Sequence, residues 1–155
     1  LKIYHEVFSC LMDIKGSFQG VVLCGENEKL YKKVVVYKDK LVPLFGKVDI
    51  AELMSVSNIL ISKSGGITTS EALSMGLPII FYKPVPGQEM HNADYVSRHG
   101  AGVIIKRREE LKNLLNILLE NPELCMKMRE KAKEVGKPYA AKYVAKYISD
   151  VLRKL

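Results

Sequence analysis

Cysteine is scarce in this 155-residue chain: Cys10, Cys24 and Cys125 make an odd number, and no two form a Cys-x-x-Cys pair. This argues against a disulfide framework or a zinc site and makes a reducing cytosol the simplest setting. Histidine is equally thin. His91 reads as a surface side chain rather than a metal ligand or a base, since His5 and His99 are remote from it and no second ligand is evident. Long apolar runs are missing too: the longest, such as 77–82, fall far short of a bilayer span, and the opening residues lack the layout of a signal peptide. The chain is therefore expected to be soluble and cytoplasmic. Zinc-finger spacing and aromatic RNA-binding strands are also absent, so nucleic acid is not an expected partner.

What is present suits one compact α/β domain that buries a core without staples, with 48% hydrophobic and 26% charged residues. Formal net charge is +7, a field that favours anionic partners such as nucleotides or an acidic membrane surface. Much of the excess lies in 127–146, where the lysines fall on the polar side of helical patterns and read first as a solvated face.

Short apolar runs ending in glycine or turn residues alternate with longer helical patterns. The runs at 20–25, 41–46, 58–62, 77–82 and 101–106 predict strands, apolar throughout as in a parallel sheet covered on both faces. Helices are predicted at about 3–14, 26–33, 49–56, 67–75, 88–99 and 108–119, and only helix beyond Pro122, with Pro138 in the first turn of the last. This rhythm predicts a doubly wound, Rossmann-like α/β fold. No strand precedes the opening helix, whose Ile3, Val7, Leu11 and Ile14 share one face. A doubly wound domain usually carries its first strand near the sheet centre, so the first strand is expected to be missing and the chain to be a piece of something larger.

The stretch 61–89 holds the chemistry. A strand ending near Ser62 delivers Lys63, Ser64, Gly65 and Gly66 to a tight loop before a helix, at the carboxyl edge where open α/β sheets bind ligands. Adjacent glycines allow close approach and positive φ, and the N–H groups of 66–69 with the helix dipole suit a phosphate without any metal. Ser64, Thr68, Thr69 and Ser70 add hydroxyls, though such residues also serve as ordinary caps. The pattern is neither Gly-x₄-Gly-Lys-Ser/Thr nor Gly-x-Gly-x-x-Gly. Two readings of Glu71 stand. It fits a capping box with Thr68, which local spacing favours, and it is also placed to accept hydrogen bonds from ribose hydroxyls. A second loop, 82–93, is stiffened by Pro84 and Pro86, turns at Gly87 and opens a helix with Gln88, Glu89 and Asn92, groups suited to a polyhydroxylated ligand. Glu89 also suits a helix N-terminus.

Taken together, the "SGGITTSEA" and "YKPVPGQE" segments resemble the donor-binding, C-terminal half of GT-B glycosyltransferases. The processive diacylglycerol glycosyltransferases and monogalactosyldiacylglycerol synthases, of glycosyltransferase family 28 type, are most similar. The resemblance implies a UDP-sugar site: Ser64, Gly65, Gly66, Ile67 and Thr68 on the diphosphate, Glu71 on the ribose, Gln88, Glu89 and Asn92 facing sugar and phosphate, and the backbone of Lys47 and Val48 on uracil. It implies residues 1–155 as one donor domain, with the acceptor domain and its catalytic base absent from this chain. It further implies an inverting, metal-independent transfer of a hexose to a lipid such as diacylglycerol, with no cofactor, at the cytoplasmic membrane face in the full-length protein. A UDP-N-acetylglucosamine 2-epimerase half shares the architecture, and a separately encoded donor subunit is a third reading. At the end of the chain, Tyr139, Tyr143 and Tyr147 flank an apolar stripe of Val144, Ile148, Val151 and Leu155. Helix patterning predicts that both stripes pack on the domain; the alternative is that they cover the absent half.

Overall fold

The computed structural model describes residues 2–153. Five strands alternate with helices: α1 (Lys2–Met12), β1 (Gly20–Gly25), α2 (Glu28–Val35), β2 (Leu41–Phe45), α3 (Ile50–Val56), β3 (Leu60–Ser62), α4 (Gly66–Ser74), β4 (Ile79–Tyr82), α5 (Gln88–Arg98) and β5 (Gly102–Ile105). Three helices close the chain: α6 (Arg108–Glu120), α7 (Pro122–Val135) and α8 (Ala140–Leu152). Local chemistry explains most boundaries. Asn27 and Asp49 cap α2 and α3 by accepting from Leu30 N–H and Glu52 N–H, and Asn121 caps α7 with Pro122 in its first turn. Pro138, by contrast, stands outside α8, which starts two residues later behind Tyr139.

Every strand pair is parallel, and the strands fall into two pieces, β1–β2 and β3–β4–β5. No ladder joins β1 to β3 among the described residues. Helix α1 lies across both pieces: Phe8 packs in the core of the first, Cys10, with Ile14 just after the helix, in the core of the second, and Val7 and Leu11 against both.

The period of two along β4 sorts its side chains between two layers. Ile79 and Phe81 pack with Met54 of α3, Ala72 and Leu73 of α4, and Ala93 and Val96 of α5. Ile80 and Tyr82 pack on the opposite face with Cys10, Ile14, Leu111 and Leu115. All four β4 residues are buried, as expected for a doubly covered strand. Strand β1 departs from that expectation: Val22 and Cys24 face the α1 and α2 side, while Val21 and Leu23 remain 46% and 44% exposed. Helix α7 closes against α4 through Gly136, where a Cβ would stand 2.2 Å from the Leu73 carbonyl oxygen.

The expected packing of the last helix is not found. α8 has no buried residue, and Tyr139, Tyr143, Tyr147, Val144, Ile148 and Val151 are all exposed. Sequence periodicity reported an amphipathic helix correctly, but nothing among the described residues covers its apolar face; Leu155 lies outside them.

Candidate functional site

Loops from the carboxyl ends of β3 and β4 form the site. After Ser62 the chain passes through Lys63, Ser64 and Gly65 into α4, whose first turn has no side-chain cap. The first backbone bond of this helix runs from Thr69 N–H to the Gly65 carbonyl (3.0 Å), so the N–H groups of Gly66, Ile67 and Thr68 are its unpaired donors. Thr69 N–H, expected among the free donors, is occupied. Gly65 has φ −63°, so positive φ is not why glycine stands there. Nor does crowding within the chain require it: a Cβ on Gly65 would meet nothing within 4 Å, and one on Gly66 only Asn92 Nδ2, at 3.9 Å, so the space before the helix is open. The start of α4 is a bare, positively polarised helix end open to an anion.

This geometry removes the capping box at Glu71. Thr68 lies inside the helix rather than at its cap, which is Gly65, and Glu71 is exposed with no hydrogen bond to its carboxylate. Among the hydroxyls, Thr68 is half-buried and Ser70 exposed, while Thr69 is buried with its Oγ1 unpartnered. Ile67 is largely exposed beside the glycines.

Ser64 is turned inward. It is fully buried (0% exposed) and donates from Oγ to the Glu89 carbonyl at 2.5 Å; Asn92 Nδ2 donates to the Ser64 carbonyl at 2.8 Å. These bonds bring Ser64, Glu89 and Asn92 together. Glu89 also folds its own loop, accepting from Val85 N–H at 3.1 Å, and Gly87 (φ 103°) makes the turn into α5 that a side chain would resist. Gln88 is exposed at the start of α5. Lys47 and Val48 follow β2 and Gly46, at the carboxyl edge of the other sheet piece, with no hydrogen bond joining them to these loops.

One feature of this edge carried no sequence signal. At the end of β4, Tyr82 OH donates to Glu6 Oε2 at 2.7 Å, and Lys83 Nζ also pairs with that oxygen. Burial pushes the Tyr82 phenol well above its ordinary value, with the Glu6 hydrogen bond and charge acting in the same direction. Lys83 itself has φ 52°, the sole positive φ outside glycine among the described residues. Glu6 thus ties α1 to the start of the second loop. Elsewhere, Arg108 bonds Asp13 and the Ser9 carbonyl, fastening α6 to α1 and holding the Asp13 carboxyl below its usual range.

An uncapped helix start beside a second helix start, both at the carboxyl edge of a parallel sheet, is the place where open α/β sheets bind ligands. Residues 11–135 match the family described as glycosyl transferases group 1, and the chain belongs to that family. It is 38% identical over 141 residues to the processive diacylglycerol beta-glucosyltransferases of Bacillus cereus (strain 03BB102) and Bacillus anthracis (strain A0248). The match takes in 84% of this chain and 36% of each relative, so the chain spans about a third of their length. Among solved structures, Acinetobacter baumannii MurG superposes with a TM-score of 0.79 at 23% identity, over 99% of this chain and 48% of that one. Anabaena Alr3699/HepE in complex with UDP-glucose gives 0.71 at 17% identity, over 97% and 45%. The Neisseria meningitidis UDP-GlcNAc 2-epimerase bound to UDP-GlcNAc gives 0.70 at 19%, over 96% and 40%. These likenesses establish the GT-B type of α/β fold.

Proposed function

We propose that this chain is the donor half of an inverting, metal-independent glycosyltransferase that moves a hexose from a UDP-sugar to a diacylglycerol-type lipid. The observation that carries the reading is the bare start of α4 lying against the start of α5. In this reading the Gly66, Ile67 and Thr68 N–H groups bind the diphosphate and stabilise the charge that gathers on UDP as it leaves. Glu71, relieved of any capping role, accepts the ribose hydroxyls; Gln88, Glu89 and Asn92 line the sugar side. The Lys47 and Val48 backbone reads uracil. The names of the 38%-identical relatives support glucose transfer to diacylglycerol. The catalytic base belongs to an acceptor half, which the open apolar face of α8 is suited to cover. That half would also bring the lipid and the anionic membrane surface, on the cytoplasmic side. No helix among the described residues is long and apolar enough to cross a membrane.

Calorimetry against UDP, UDP-glucose, UDP-galactose and ADP tests the donor site. The uridine nucleotides should bind more tightly than ADP, and Gly65→Val should abolish the difference by filling the open space. Gly65 already has a φ and ψ that valine tolerates, so the variant should fold. A folded wild type that treats UDP and ADP alike would sink the proposal. The epimerase reading keeps the same donor site, and product analysis of the full-length protein separates transfer from epimerisation.

A further inference from the structure

Ser64 is held by α5 at both of its ends. Its buried hydroxyl donates to the Glu89 carbonyl and its own carbonyl accepts from Asn92 Nδ2, across 25 and 28 residues of sequence. The amide orientation is set by chemistry, because a carbonyl can only accept and Nδ2 must face it. Both bonds lie immediately before the bare N–H groups of α4, and Asn92 abuts Gly66. Through Glu89 the tie continues to Val85 N–H, so the second loop, the start of α5 and the start of α4 share one hydrogen-bonded network. A buried hydroxyl committed in this way is not available to a ligand in the cleft, since turning outward would strand the Ser64 oxygen and the Glu89 carbonyl bond together.

We infer that the Ser64–Asn92 pair is a clamp that sets the spacing between the two helix starts, with Ser64 a positioning residue rather than a phosphate ligand. The consequence for binding rests on the nucleotide-sugar reading above. A diphosphate held by α4 and a sugar held by α5 belong to one molecule, so an error in the distance between the helices is felt chiefly when both groups are present. Displacement by a fraction of an ångström weakens such two-point recognition without removing any contacting group.

Ser64→Ala, Asn92→Ala and the double variant of the 155-residue chain test the clamp. Without nucleotide, Ser64→Ala should speed amide hydrogen exchange across residues 85–92 while the amides of β4 stay protected. UDP-glucose affinity should fall about 5–10-fold, the size of one buried hydrogen bond, and UDP affinity by clearly less. Ser64→Ala and Asn92→Ala each break a different bond of the clamp, so the double variant should speed exchange across 85–92 more than either single variant. Equal losses for UDP and UDP-glucose with unchanged exchange at 85–92 would overturn the inference and make the serine hydroxyl a direct phosphate ligand. Should the wild type bind neither nucleotide, the donor reading fails, and the exchange measurement decides the clamp alone: unchanged exchange refutes it, faster exchange upholds it.

Discussion

The two pieces of the sheet are equally apolar in sequence and unequally covered in the fold. Around β4, helices α4 and α5 seal one face and α1 and α6 the other, and no residue of the strand reaches solvent. Around β1, α1 and α2 seal one face, while Val21 and Leu23 look outward on the other. The loops proposed for diphosphate and sugar hang from the sealed piece, and Lys47 and Val48, proposed for uracil, follow the open one. In that reading, the part of the site that requires fixed spacing sits where packing on two faces holds the strand ends still.

Core substitutions break this comparison most directly. Phe81→Ala removes a fully buried ring from the sealed piece and should cost about 3–5 kcal/mol in urea unfolding. Leu23→Ala, at a half-open position, should cost under about 1 kcal/mol. Comparable losses would mean that the outward face of β1 is covered in solution and that the two pieces are not unequal after all.

Within the sealed piece, Glu71 sharpens the comparison by separating binding from stability. Because its carboxylate caps nothing, Glu71→Gln should leave the unfolding midpoint unchanged. UDP affinity should fall by about 1.5–3 kcal/mol, the scale of hydrogen bonds to a charged group. The wild type should also prefer UDP to 2′,3′-dideoxy-UDP, and the variant should be nearly indifferent. Equal discrimination by both proteins would take Glu71 out of the ribose site and leave the anion-binding turn untouched.

Much of this site was legible because its signals are local. Gly65-Gly66 before a helical pattern marks a backbone open to a ligand, and Pro84, Pro86 and Gly87 mark a stiff turn into α5. Strand positions were legible from apolar runs for the same reason. What escaped depended on long-range partners. Thr68 and Glu71 carry capping-box spacing, but the helix starts at Gly66, one turn too early for the box, because the chain enters it from a loop pinned through Ser64. The stripes on α8 have the right period for packing, yet periodicity describes a face and not its occupant. Nor does an apolar run such as 20–25 say that only one of its faces is covered. The Glu6–Tyr82–Lys83 cluster joins residues 76 and 77 positions apart and leaves no pattern in either segment.

That cluster yields the smallest expected effect and a test of how firmly α1 is tied to the sealed piece. Tyr82 is almost fully buried and its hydroxyl donates to Glu6, so the folded protein holds that proton more tightly than the unfolded chain, where a tyrosine releases it near pH 10. Above that pH the unfolded state binds fewer protons than the folded one, and stability must fall as pH rises, by at most about 1.4 kcal/mol per pH unit for one group. Below it, both states keep the proton and the contribution is fully present. Tyr82→Phe removes the titrating group, at the cost near neutrality of one hydrogen bond, about 1 kcal/mol, while Lys83 still pairs with Glu6. Urea unfolding at pH 8, 9, 10 and 11 should therefore give a wild-type curve that drops more steeply above pH 10 than the variant's, so that the gap between them closes as pH rises. Parallel curves across that range would mean that Tyr82 ionises freely in the folded protein, and that its contact with Glu6 does not hold α1 against the sheet.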